Sequence, residues 1–218
     1  MNSKFKLIVP VLVFALFSCK KETATVSLSD YKFSDKGIVL NCDGMDSDSK
    51  LINEALFAFE DDISTFYGKT SPNPSLQLAY AQFMRDALSD RANFSEIATP
   101  HTVEVFNVLK TKNDLWNMNS TASYLDYNST FFNCIANNIQ DKNLNTTLHA
   151  LIETKSMNQK LFGAPLSSRY ITVLNDKYLA AYFAFDLFYA KLFDVDLTQV
   201  KEREPEKVDF NKIPITNK

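Results

Sequence analysis

At 218 residues the chain is long enough for one domain with a proper core. Its 23 basic and 26 acidic side chains leave a formal charge of −3 and no basic stripe, which excludes the electrostatic footprint of a nucleic-acid binder. Four glycines against 18 phenylalanines and 9 tyrosines disfavour an all-β fold, which needs many tight turns, and no phosphate-cradling glycine loop is present.

The chain opens MNSKFK, with Lys4 and Lys6 and no acid, and then runs apolar from Leu7 to Phe17. Eleven helical residues at ~1.5 Å each cover about half of a ~30 Å hydrocarbon core, too short for a stable span. A basic start, a short apolar run and a small residue at its end are the parts of a secretory signal peptide. Here the small residue is followed by cysteine, and Leu16-Phe17-Ser18-Cys19 resembles the lipobox of bacterial lipoproteins. Its looser Ser-Cys form is similar to that of lipoproteins from the Bacteroidetes group. The resemblance implies that residues 1–18 are removed and that Cys19 is acylated and becomes the first mature residue. It implies a lipid bilayer as first partner, an oxidising cell envelope as location and no transmembrane span. Lys20 stands where lipoproteins retained at the inner membrane of enteric bacteria carry Asp, so the analogy favours the outer membrane, with a periplasmic or surface orientation left open. Removing residues 1–18 takes away two lysines and no acid, so the mature charge moves to −5.

Residues 19–45 read as lipidated cysteine and tether. Cys42, near its end, and Cys134 are the remaining cysteines. In an oxidising compartment they either pair, tying the tether to the middle of the chain, or sit as small buried apolar residues. Asp43, Asp46 and Asp48 invite a calcium loop, but an EF-hand pattern started at Asp43 would put Met45 and Ser47 at ligand positions and Asp48 where glycine is required. A helix start, with Asp and Ser as caps, is the better reading.

A helical domain is expected over residues 46–197. Ile52, Ala55, Leu56, Phe59, Ile63 and Phe66 recur at helical spacing up to Gly68, and the Glu60-Asp61-Asp62 run reads as a solvated face. Asn73-Pro74 opens a second helix carrying Leu76, Tyr80, Phe83 and Ala87, and Thr99-Pro100 opens a third with Val103, Phe106 and Leu109. A fourth is expected after Ser123 through Phe131, Phe132 and Ile135, and a fifth from Asn143 through Leu151. Gly163 and Pro165 read as an interruption. Tyr170, Leu174, Tyr178, Ala181, Phe185, Phe188 and Leu192 then mark a long central helix, whole or split near Asn175-Asp176. Residues 198–218 read as a loose polar tail. The expectation is an all-α bundle of about six helices.

Candidate chemistry is sparse. His149 and Glu153 lie one turn apart and His101 opens a helix, but zinc and di-iron patterns are absent, as is any Gly-x-Ser-x-Gly. No catalytic residue, cofactor or metal is expected. Asp186 stands out, enclosed by Tyr182, Phe183, Phe185, Leu187, Phe188 and Tyr189. A carboxylate there needs a partner, a proton or a wet cavity. Arg85 is the expected partner, as a buried ion pair or as one of two ligand-contacting groups. Tyr178, Tyr182 and Tyr189 either pack in the core or line a groove. The functional expectation is an envelope lipoprotein with a non-enzymatic helical binding or scaffolding domain that meets an envelope protein. The alternative is a carrier or sensor of a small apolar or aromatic ligand held between helices.

Overall fold

A computed structural model describes residues 27–69 and 73–203. The expected signal peptide and Cys19 lie outside the described residues, as do residues 204–218 of the expected tail. The fold is all-α, with eight α-helices and short 3₁₀ and π segments among the described residues. None of these helices is long and apolar enough to cross a membrane.

Helix α1 (Ser49–Gly68) is the first axis of the bundle. Every residue from Leu51 to Glu60 is buried, so the helix is surrounded rather than amphipathic. Its expected cap works differently. Asp48 makes no side-chain capping bond and instead takes the Lys112 ammonium at 2.6 Å. Helix α2 (Leu76–Leu88) packs on α1 and is capped by Ser75, whose hydroxyl accepts the Leu78 amide; the helix therefore starts after Pro74, not at it. The single-turn α3 (Phe94–Ile97) leads to α4 (Pro100–Leu109), where Thr99 caps and Pro100 stands in the first turn as its fixed φ predicts.

The expected fourth helix starts six residues late. Residues 110–129 form a long loop closed by the Trp116–Leu125 bridge, and only then does Ser129 cap α5 (Thr130–Asn138). Asp141 caps α6 (Lys142–Glu153). Helix α7 (Gln159–Arg169) runs straight through the expected interruption at Gly163 and Pro165. Gly163 lies close to α2: a Cβ on it would stand 2.8 Å from Leu88 Cδ2, so an alanine there would require the Leu88 side chain to shift.

The second axis is the long apolar segment. It breaks at Asn175-Asp176, as one expected alternative had it, because the Asp176 carboxylate leaves the helix to accept the Leu179 and Gln140 amides. From there α8 (Lys177–Tyr182) passes into a π-helical turn (Phe183–Phe188) and a 3₁₀ segment (Tyr189–Asp194). Its residues from Leu179 to Ala190 are all buried. Aromatic rings join the two axes: Phe59 meets Phe188 at 5.3 Å, and the Tyr189 hydroxyl donates to the Ala55 carbonyl at 3.0 Å. The tyrosines expected as core or groove are therefore core at Tyr182 and Tyr189, while the half-buried Tyr178 donates to the Asn41 carbonyl.

Much of the expected tether belongs to the domain. Residues 27–48 wrap α1 and bury Leu28, Phe33, Leu40, Cys42 and Met45. Asn53 of α1 holds this arm in place, accepting the Val39 and Leu40 amides and donating to the Leu40 carbonyl. Cys42 and Cys134 are joined in a disulfide with Cα atoms 5.7 Å apart, which fastens the arm to α5. The tail also begins on the core rather than loose, since Val200 packs against it and the Arg203 side chain is only 13% exposed.

Candidate functional site

The buried acids fall into two groups. The first belongs to α1, and it overturns the reading of Glu60-Asp61-Asp62 as a solvated face. Only Asp61 stays out, paired with Lys32. Glu60 accepts the Tyr80 hydroxyl at 3.1 Å and the Lys177 ammonium at 2.8 Å, binding α1 to α2 and α8. Glu54 accepts the Phe33 amide and meets His101 Nε2 at 2.7 Å, so His101 is a partly buried partner of α1. Asp62 accepts the Thr102 hydroxyl at 2.6 Å, and its Oδ1 lies 3.6 Å from Arg203 Nη2. Burial pushes the Asp62 carboxyl up to about 6, against the pull of Thr102 and Arg203. Each of these carboxylates faces its own protein, and their arrangement describes helix packing rather than chemistry on a ligand. His149 is half-buried on α6 with Glu153 exposed, and the described residues contain no cluster of three or more side chains able to hold a metal.

The second group centres on Asp186. Its expected partner is wrong. Arg85 sits on the exposed face of α2, whereas Asp186 is fully buried and accepts the Tyr127 hydroxyl at 3.0 Å. Its neighbours Phe83 and Met84 turn inward, while the Arg85 guanidinium turns to solvent. Burial raises the Asp186 carboxyl, with Ser123, Tyr182, Tyr127 and Gln159 all working to lower it. The fully buried Tyr182 hydroxyl lies near this carboxyl without reaching hydrogen-bond geometry and has no other partner among the described residues. Desolvation, not a neighbouring charge, is thus the largest influence on the Asp186 carboxyl.

Three structural features meet at this residue. Asp186 lies in the π-helical turn, a rare geometry that recurs at functional sites. A π turn frees backbone groups, and the Asp186 carbonyl takes the Gln159 side-chain amide at 2.6 Å. The 110–129 loop supplies Ser123 and Tyr127, and ordered loops of this length are uncommon without a task. Its shape is set by the Asn117 amide donating to Tyr124 at 2.8 Å, the Asp126 amide donating to Leu115 at 2.9 Å, and the Trp116 indole donating to the Leu109 carbonyl.

Above Asp186 the surface is hollowed. A depression of about 380 Å³ is lined by Ser120–Tyr124, Gln159, Ala190, Lys191 and Asp194. A second of about 510 Å³ adjoins it, sharing Thr121, Ala122, Gln159 and Lys191 and reaching Leu88, Asp90 and Lys160. Ser123 and Gln159 thus touch both the buried carboxyl and the groove. The half-buried Lys191, between the two depressions, makes no ion pair among the described residues, and Asp194 is held by the Tyr124 hydroxyl at 2.9 Å. Sequence reasoning found Asp186 and missed Ser123, Tyr127, Gln159 and Lys191. The Asn-Ser-Thr-Ala-Ser run at 119–123, polar between two apolar segments, was the available signal for the loop.

No protein-family model, no curated protein and no solved structure matches the chain.

Proposed function

We propose that the protein is a cell-envelope lipoprotein, held on a bilayer by acyl chains on Cys19, and that its helical domain is a binding module receiving its partner in the groove over Asp186. The anchor rests on the lipobox-like Leu16-Phe17-Ser18-Cys19, and the Cys42–Cys134 bridge supports an oxidising compartment. The observation that carries the binding site is the convergence on Asp186 of a long shaped loop, a π turn and a hollowed surface. No catalytic residue, cofactor or nucleic-acid partner enters this reading.

Two experiments test it. Growing cells with a labelled fatty acid should label this product and not its Cys19→Ser variant, which should leave the membrane fraction. A photo-crosslinking residue at Ala122, on the groove wall, should give an adduct in intact cells that an equivalent residue at the exposed Glu153 does not. Equal adducts at both positions, or none at either, would remove the groove from the proposal.

A second reading, a carrier or sensor of a small apolar or aromatic ligand, is favoured by a different place. Between the arm and α1 lies a depression of about 420 Å³ with Tyr31, Phe33 and Ile38 in its wall, and Ile38 is 52% exposed. Saturable binding of an anilinonaphthalene dye that Ile38→Glu abolishes would support it; unsaturable binding would dismiss it.

A further inference from the structure

We propose that the groove over Asp186 takes a neutral, hydroxyl-rich ligand, a saccharide, with Ser123 and Gln159 reading adjacent hydroxyls and Lys191 holding another; this rests on the groove being the binding site. The charges on its walls are the first reason. Asp90 and Asp194 stand against Lys160 and Lys191. A ligand of one net charge would meet a like charge wherever it lay, whereas a neutral one that both donates and accepts hydrogen bonds can use all four.

The chemistry of the remaining wall is the second reason. Ser120, Thr121, Ser123, Asn158 and Gln159 supply hydroxyls and amides, and the apolar share comes largely from small alanines. An apolar ligand would strip water from these groups without replacing its hydrogen bonds. The depressions lie within the roughly 300–1,000 Å³ of small-ligand sites.

The third reason is that the floor is already oriented. The Gln159 amide nitrogen is engaged by the Asp186 carbonyl, which leaves its side-chain oxygen as an acceptor for the groove. Ser123 accepts the Leu125 amide and lies at the Asp186 carboxyl. A serine hydroxyl and a glutamine carbonyl then share the groove wall, the complement of vicinal hydroxyls, each of which can donate and accept.

The test uses the lipidated full chain in phosphatidylethanolamine nanodiscs, with saturation-transfer NMR and titration of cellotriose, maltotriose and chitotriose. Triglycine and citrate serve as amide and anionic probes. At least one trisaccharide should bind with a Kd near or below about 1 mM. Lys191→Met, at a half-buried surface position, and Gln159→Leu should each weaken it about tenfold, the usual effect of one lost hydrogen bond to a ligand. The proposal is overturned if none of the three binds at about 10 mM, if Lys191→Met leaves affinity unchanged, or if triglycine or citrate binds better. An Ala122 adduct in cells without trisaccharide binding would retain the groove as a binding site and reject the saccharide.

Discussion

Asp62 offers a quantitative test of how burial and pairing compete in this core. Two effects act on its carboxyl in opposite directions. Desolvation of a fully buried acid favours the protonated form, while the Thr102 hydroxyl at 2.6 Å and the Arg203 guanidinium at 3.6 Å favour the charged one. The longer range to Arg203, and an Oδ1 with no hydrogen-bond partner among the described residues, leave desolvation ahead, and the carboxyl stands at about 6 instead of 3.8. The folded chain therefore binds a proton more tightly than the unfolded chain. Stability must fall as pH rises through the window between those two values, by a total of about 3 kcal/mol at ~1.4 kcal/mol per pKa unit. Above about pH 6 the full penalty is present; below about 4 it is gone. Urea unfolding of the purified protein and of Asp62→Asn, from pH 4 to 7.5, isolates this term as the difference between the two curves. The unsubstituted protein should lose stability relative to the variant as pH rises. A flat difference, or a gain of stability with rising pH, would mean that Arg203 outweighs burial and that the reasoning about this pair is wrong.

Two further outcomes follow from the packing. The Cys42–Cys134 bridge closes a separation of 92 residues, so reduction or Cys134→Ser should cost about 4–5 kcal/mol in the chain-entropy account, read as a lower urea midpoint; a change below about 1 kcal/mol would mean that the arm is held on α1 by Asn53 and Glu54 alone. Replacing Asp186 by leucine strands the Tyr127 hydroxyl, at a cost of about 1–3 kcal/mol, and adding Tyr127→Phe should recover part of that loss in a double-mutant cycle; simple additivity would remove the Tyr127 bond from the account, and Arg85→Ala should leave the Asp186→Leu cost unchanged.

The sequence by itself determined the class of fold and the position of most helices, because caps and apolar spacing act over a few residues. Thr99-Pro100 is a local signal that stands where the sequence puts it, and the break at Asp176 is one of the two alternatives that the apolar run allowed. It also singled out Asp186, since a carboxylate amid aromatics is anomalous wherever it lies. Tertiary structure decided what local signals cannot carry. Whether Glu60 and Asp62 meet solvent or Lys177 and Arg203 depends on segments more than a hundred residues away. Pro165 is tolerated inside α7, and Gly163 there lies against the Leu88 side chain, which is a fact about α2. The partner of Asp186 came from a loop whose course is fixed by the Trp116–Leu125 bridge, while Arg85, the nearer guess on helical grounds, faces water. Helical periodicity says which residues go inside; it does not say whom they meet there, because that is set by long-range packing and the desolvation it imposes.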